Sequence, residues 1–199
     1  MSNFRNHICN TNPEFCISNP SIQICSGEYF SFLYPETSTY YIEDIAHALS
    51  QMCRFNGHCN SFYSVAQHSV LVAEEVWNVA PEHYHQALLH DASEAFLGDI
   101  SSPLKKMLPD YKLIEKHIED NIFTKFNMQL IMDKCIKNAD LRLLATERRD
   151  LMINKYEIEW EILDNIVPLQ QKIKPLSSKN AKKLFLDAWY NKPRKIKIY

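Results

Sequence analysis

The stretch Ser64-Val-Ala-Gln-His68-Ser-Val-Leu-Val72-Ala-Glu-Glu-Val76-Trp77 indicates the fold class. Its apolar residues recur every three or four positions, which is the period of a helix with a buried face. Ser64 and Gln67 form a capping-box pattern, in which the serine oxygen accepts from the Gln67 amide and the glutamine side chain reaches back. His68 lies in line with the apolar residues. The stretch therefore predicts a helix that carries an imidazole toward the core.

The segments on either side of this stretch repeat the helical pattern. Only the first forty residues alternate in the manner of strands, and Gly27 between two such pieces predicts a short hairpin. Proline, glycine and capping signals divide the rest into helices. We therefore expect an all-α helical bundle with a short N-terminal β-hairpin. The further helices are expected over about 41–57, 81–97, 109–126, 129–152 and 176–190.

Length and composition limit the possible classes of protein. A chain of 199 residues, 46% hydrophobic and 23% charged, can fill one core but is too short for two ordinary domains. We therefore expect a single domain over residues 1–199. A net charge of -2 and the lack of a long apolar run argue against a nucleic-acid duplex or a membrane as partner. The polar N-terminal residues predict a cytoplasmic location.

Glycine and cysteine exclude two further kinds of site. Only three glycines occur, and no pair is close enough to form a Walker loop or a dinucleotide-binding fingerprint. None of the six cysteines forms a C-x-x-C pair. We therefore expect reduced thiols rather than a disulfide framework or a zinc ribbon.

Imidazoles and carboxylates recur on the apolar faces of the predicted helices. His68, the pair His90-Asp91 and Asp140 each occupy such a position. An ionised carboxylate in a packed core is costly unless it is paired or bound to a metal. One shared divalent cation would explain all four side chains. A simpler alternative stays open for each, because His68 can bond a backbone carbonyl and the aspartates can pair with arginines or helix ends.

Further polar residues follow the His-Asp pair. Glu94 comes one turn after His90, Asp99 follows Gly98, and Lys105 closes the run Ser101-Ser-Pro-Leu-Lys105. Acidic groups beside a metal can orient a water molecule or protonate a departing oxygen. A lysine at the same place supplies positive charge for a phosphate. The pattern favours phosphate-ester hydrolysis.

These residues resemble the H…HD…D signature of the HD-domain metal-dependent phosphohydrolases. The run from His90 to Lys105 is similar to bacterial 5'-deoxynucleotidases and to phage deoxynucleoside triphosphate triphosphohydrolases, including dATP-specific ones. Residues 42–50, 54–57 and 63–69 also resemble the small phage and prophage members. The resemblance covers about 25–150, which it marks as the core of an HD-type domain. Residues 151–199 would then form a C-terminal helical extension.

The resemblance also implies roles for individual residues. Two imidazoles and two carboxylates suit Mn, Co, Zn, Fe or Ni better than Mg or Ca. Phe55 stands where relatives often carry Trp against the nucleoside, so base stacking stays possible. The implied metal ligands are His68, His90, Asp91 and Asp140; the implied catalytic acids are Glu94 and Asp99; and the implied substrate-binding residues are Arg54, Phe55 and Lys105.

The expected reaction is metal-dependent attack of water on the 5' phosphorus of a deoxynucleotide. The first expectation is a dNTP triphosphohydrolase, with dATP as a candidate substrate, that releases deoxynucleoside and triphosphate. The alternative is a 5'-deoxyribonucleotidase acting on dNMPs. A non-catalytic nucleotide-binding sensor is a third hypothesis, but a sensor has no need of Glu94 and Asp99. The resemblance further implies a homo-oligomer, dimer or larger, in a bacterial or phage-infected cell.

Overall fold

The structure, a computed structural model, describes residues 2–11, 13–153, 155, 156 and 158–191. Within these residues helices predominate, and the strands β1 (Ser21–Gln23) and β2 (Tyr29–Ser31) pair antiparallel as one hairpin. The predicted all-α fold with an N-terminal hairpin is confirmed. The helices are α1 (Ser2–Thr11), α2 (Pro13–Ser18), α3 (Ile42–Gln51), α4 (Val65–Trp77), α5 (Tyr84–Leu88), α6 (Glu94–Leu97), α7 (Ser102–Lys105), α8 (Pro109–Lys125), α9 (Lys134–Leu151) and α10 (Ser178–Tyr190).

Helix α4 lies at the centre of the bundle. It packs against α3, α5, α9 and α10, and most of its side chains are buried. The Ser64 hydroxyl accepts a hydrogen bond from the Gln67 amide at 3.2 Å, as the capping pattern predicts. The Gln67 side chain does not reach back, and this half of the prediction is wrong. It instead donates to the Lys174 carbonyl and accepts from the Leu176 amide, both at 2.9 Å.

The C-terminal helix α10 completes the same core. It begins after Ser177, whose side chain caps the first turn, and it packs on α3, α4 and α5. Ala181, Phe185 and Ala188 are buried among the residues of the central cluster. The predicted closing helix is therefore confirmed. Residues 192–199 of the expected extension lie outside the described residues.

The helix expected over 81–97 is interrupted at the His-Asp pair. Pro81–His83 is a 3-10 turn, α5 follows, and a turn at residues 89–93 separates α5 from α6. Nδ1 of His90 lies 2.8 Å from the Ala87 carbonyl, and the His90 amide also bonds it. A side chain that takes a backbone acceptor competes with the helical ladder. Gly98, with φ +82, ends α6 as expected.

Two unexpected helices and two helix boundaries also differ from the sequence prediction. Helices α1 and α2 were not expected, because their Asn- and Ser-rich sequence has low helix propensity. The Arg5 side chain ties α1 to the Leu33 carbonyl at 2.9 Å, which is a tertiary contact. Helix α3 ends at Gln51 rather than near Gly57. Helix α9 begins at Lys134 because the Asp133 side chain caps it, accepting from the Cys135 amide at 2.8 Å.

Two expectations drawn from composition have different outcomes. Cys25, Cys53, Cys59 and Cys135 are free thiols. Cys9 is disulfide-bonded, so the expectation of reduced thiols is wrong at that position. None of the helices in the described ranges is long and apolar enough to cross a membrane.

Candidate active site

The four predicted metal ligands converge from three parts of the bundle. His68 comes from α4, His90 and Asp91 from the turn between α5 and α6, and Asp140 from α9. Nε2 of His68 lies 3.3 Å from Nε2 of His90 and 3.4 Å from Oδ1 of Asp140. Oδ2 of Asp91 lies 3.6 Å from the first imidazole and 3.2 Å from the second. Ligand atoms of His68, His90 and Asp140 all lie within 4.8 Å of one another.

The hydrogen bonds of the two imidazoles fit a metal between them. Nδ1 of His68 lies 2.6 Å from the Glu147 carboxylate, and Nδ1 of His90 lies 2.8 Å from the Ala87 carbonyl. With a metal bound, each Nδ1 would donate to its acceptor, which leaves the lone pair of Nε2 for the ion. The two Nε2 atoms lie 3.3 Å apart, so without an ion one of them can donate a proton to the other. A cation held by both nitrogens and the neighbouring carboxylates would take the place of that proton.

Glu147 is a part of the site that the sequence analysis did not identify. It is fully buried on α9, two helical turns after Asp140 and therefore on the same face. Its Oε1 accepts from His68, and its Oε2 accepts from Nη2 of Arg54 at 3.1 Å. Burial raises the pKa of Glu147, but Arg54 and His68 outweigh burial and hold it below its ordinary value. The seven-residue spacing from Asp140 was the signal that could have found it.

The charges of the cluster favour ionised aspartates. Burial raises the pKa of Asp91 and of Asp140, yet both pKa values lie well below their ordinary range because the imidazoles of His90 and His68 lie beside them. Burial and Arg54 lower the pKa of His68, whereas Glu147 and Asp140 raise it by a larger amount. The resulting pKa is about 9, above the ordinary value of 6.5. A metal binds carboxylates in their ionised form. The aspartates are thus already in the protonation state that a metal requires.

The pKa of Glu94 is raised, whereas the pKa values of Asp91 and Asp140 are lowered. Glu94 begins α6, is 5% exposed, and its Oε2 has no hydrogen-bond partner among the described residues. Burial raises its pKa well above the ordinary value, and the nearby Asp91 and Asp99 raise it further. The pKa of Asp99 is also raised, by burial and by Asp91, although Arg54 opposes this. A carboxyl whose pKa is raised by burial holds its proton to higher pH and can act as a general acid.

The predicted phosphate-binding cations are already ion-paired. Arg54 is buried, with Nη1 3.5 Å from Asp91 in addition to its bonds with Glu147. Lys105 has Nζ 2.5 Å from Oε1 of Glu115 and 3.5 Å from Oε1 of Glu94. Both side chains nevertheless line the same cleft as the aspartates. They can therefore face a substrate while their other contacts hold them in place.

A cleft of about 1110 Å³ opens beside the cluster. Its walls bring together seven of the nine predicted site residues, which are Arg54, Phe55, Asp91, Glu94, Asp99, Lys105 and Asp140. His90 borders a neighbouring cavity of about 330 Å³, and His68 is fully buried behind the site. The cleft is also lined by Trp160, from the segment that follows α9. Sequence analysis assigned no role to that segment.

Comparisons with known proteins agree with this geometry. The family model described as 5'-deoxynucleotidase YfbR-like matches residues 48–151, which hold all nine predicted site residues. The chain is 40% identical over 167 residues to the uncharacterized protein YfdR of Escherichia coli K12, covering 83% of this chain and 92% of YfdR. It is 33% identical over 130 residues to an uncharacterized protein of Rhodobacter capsulatus, covering 59% of this chain and 63% of that relative.

Proposed function

Because the chain belongs to the YfbR-like 5'-deoxynucleotidase family of HD-type metal-dependent phosphohydrolases, we propose that it removes the 5' phosphate from deoxyribonucleoside monophosphates. Membership of this family supports a nucleotide phosphohydrolase and argues against the hypothesis of a non-catalytic sensor. The family also favours the dNMP alternative over the dNTP triphosphohydrolase that the sequence analysis put first. The observation that carries the proposal is the convergence of the imidazoles, aspartates and Glu94 at one cleft.

The proposed metal ligands are His68, His90, Asp91 and Asp140. Their mixed nitrogen and oxygen atoms suit Mn, Fe, Co, Ni or Zn. When bound, such an ion would polarise the phosphate and lower the pKa of a water molecule beside it. Glu147 would keep the His68 ring in position, with Nε2 directed at the ion.

Asp99 and Glu94, the two acids that are not proposed metal ligands, would accept and donate the protons of the reaction. Water attacks the 5' phosphorus, and the bond from phosphorus to the 5' oxygen breaks. Asp99 would accept a proton from the attacking water, and Glu94 would donate its proton to the departing 5' oxygen. The raised pKa of Glu94 supports its role as the donor. Arg54 and Lys105 would hold the phosphate oxygens as negative charge moves between them.

The charges that line the cleft support a monophosphate. Six acidic and four basic side chains line it, so basic groups are not in excess before any metal binds. Three of the four basic groups already contact carboxylates, since Arg54 pairs with Glu147, Lys105 with Glu115 and Lys137 with Asp140 at 2.8 Å. A triphosphate would bring two further anionic groups into this environment. Little positive charge is left to receive them.

A substrate panel tests the proposal. Protein loaded separately with Mn, Co or Zn is incubated with deoxy- and ribonucleoside mono-, di- and triphosphates, and the products are separated by liquid chromatography. We expect release of inorganic phosphate and deoxynucleoside from dNMPs, with dNTPs much slower. Release of triphosphate from dNTPs at a higher kcat/KM would instead favour the triphosphohydrolase. The Asp91→Asn variant controls for contaminating phosphatases.

A further inference from the structure

The cleft contains an aromatic pair whose second member lies outside the family match. Phe55 and Trp160 are the only Phe, Tyr or Trp side chains among the described residues that line it. Their ring centroids are 6.1 Å apart and their planes are inclined by 48°. Phe55 follows Arg54, which contacts Asp91. The pair therefore lies next to the candidate metal centre but is built from two distant parts of the chain.

Trp160 is held in place by a contact with α9 and by a hydrogen bond within its own segment. The guanidinium of Arg148 lies 5.2 Å from the centre of its ring and also donates to the Ile158 carbonyl. The Trp160 carbonyl accepts from the Leu163 amide at 2.7 Å, and Leu163 itself is buried. Cation–π and backbone contacts of this kind fix an indole before a ligand arrives. The ring is partly exposed to the cleft, so it can still receive a ligand.

The backbone at Phe55 also points to a built binding surface. Phe55 has a φ of +55, in the left-handed region that bulky side chains rarely adopt, and Asn56 next to it has a φ of +52. Such strain persists where the surrounding structure enforces it, and it is common at ligand sites. The guanidinium of Arg54 lies 5.5 Å from the Phe55 ring centre and supports it from one side. Trp160 is the other aromatic ring next to Phe55.

We propose that Trp160 is a substrate-binding residue that contacts the nucleobase and, together with Phe55, forms the base-binding end of the cleft. This inference rests on the proposed function, since it takes a nucleotide as the substrate. Aromatic side chains stack on bases of any sequence, because every base has a π face. The family match ends at residue 151, so the segment that supplies Trp160 would tune base preference separately from the catalytic residues. Purines, with the larger face, gain most from it.

Kinetics of matched variants test this role. Trp160→Ala is expected to raise KM for dAMP by about tenfold or more, with kcat nearly unchanged, whereas Trp160→Phe keeps most of the affinity. Deoxyribose 5-phosphate has no base, so its hydrolysis should be the same in all variants. Tyr156→Ala is the control, because Tyr156 belongs to the same segment but is 73% exposed. Equal losses on dAMP and on the base-free substrate would mean a structural role and would overturn the inference.

A binding measurement separates this inference from the proposed function. Metal-loaded Glu94→Gln protein is titrated with dAMP while tryptophan fluorescence is recorded, with and without Trp160→Phe. We expect quenching that disappears in the double variant, even though Trp77 and Trp189 remain, while equilibrium dialysis shows similar dAMP affinity. Quenching without turnover by the wild type would refute the proposed function alone. Turnover of dNMPs with quenching that survives Trp160→Phe would refute the role of Trp160 alone.

Discussion

Oε1 of Glu147 lies 2.6 Å from Nδ1 of His68, and both side chains are completely buried. The other oxygen of the same carboxylate accepts from Arg54, whose guanidinium reaches Asp91. The buried carboxylate of Glu147 therefore connects the His68 imidazole with the Arg54 guanidinium at the cleft. These contacts hold both side chains in position.

Replacement of this acid tests its positioning role. Glu147→Gln keeps the size of the side chain but removes the charge that fixes the His68 ring and balances Arg54. We expect Mn²⁺ affinity to fall by about 10- to 100-fold, measured by isothermal titration calorimetry. Glu161→Gln, which changes an acid elsewhere in the cleft lining, should bind Mn²⁺ as the wild type does. Unchanged affinity in Glu147→Gln would show that the imidazole needs no such support.

Variants at Glu94 and at Asp91 should both lose catalysis, but only the variant at Asp91 should also lose the metal. Glu94→Gln removes the proposed proton donor, and we expect kcat to fall by about 10²- to 10⁴-fold while metal content stays near that of the wild type. Asp91→Asn is expected to lose both. Metal content by plasma mass spectrometry and phosphate release are measured on the same samples. A fully active Glu94→Gln protein would contradict the proposed acid.

Two adjacent lysines of the cleft provide a matched pair. Lys105 is partly buried and is held by Glu115, whereas Lys106 is exposed. We expect Lys105→Met to lower kcat/KM for dNMPs by about tenfold or more, because a positioned cation contributes to transition-state stabilisation. Lys106→Met should change it little. The reverse order of effects would move the phosphate contact to Lys106.

Removal of metal should destabilise the fold. Without a cation, the ionised aspartates of this partly buried cluster are balanced only by the imidazoles and Arg54. Binding at 100 times Kd adds about 2.7 kcal/mol to the free energy of unfolding, so chelation is expected to lower Tm and Mn²⁺ to restore it. Scanning calorimetry measures the change. Asp140→Asn protein should show a much smaller response, and a full response would place the ion elsewhere.

Glu74 predicts a pH dependence of stability. It lies on α4, its Oε1 is buried without a hydrogen-bond partner among the described residues, and burial together with the neighbouring Glu75 raises its pKa to about 8. The unfolded chain releases this proton near its ordinary pKa of 4.5. The stability that Glu74 contributes is therefore complete below that value and is lost as the pH rises toward 8.

Glu74→Gln should remove this dependence. We expect the Tm of the variant to rise relative to the wild type as the pH increases from about 5 to 8. Glu82→Gln is the control, because Glu82 is an exposed glutamate in the 3-10 turn Pro81–His83. A difference in Tm that is constant across this pH range would show that Glu74 is ionised throughout.

Much of this architecture follows from local patterns in the sequence. Helix α4, its Ser64 cap and the closing helix were predictable, because apolar periodicity and capping residues act over short distances. The neighbourhood of His68, Asp91 and Asp140 was predicted from their combined placement on apolar helix faces, from the cost of burying polar groups and from the resemblance to the HD-domain signature. The roles of those residues in a metal site stay proposals.

Other features depend on contacts between distant segments. The interruption at His90 arises because its imidazole takes the Ala87 carbonyl, which periodicity does not reveal. Trp160 meets Phe55 only after the chain has folded back along α9. Gln67 fits a capping pattern, yet its side chain donates a hydrogen bond to the Lys174 carbonyl, more than a hundred residues away. Long-range pairings of this kind override local preferences.

The amide of Gln67 has a practical consequence for truncated versions of the protein. Both of its polar ends are satisfied by the strap at Lys174–Leu176, and it immediately precedes His68. A gene shortened to the end of the family match would strip that strap and α10 from the helix that carries the first imidazole. The buried Gln67 amide would then lose both partners, one position away from His68, the proposed metal ligand. Work on a minimal catalytic fragment should accordingly retain the sequence through Tyr190.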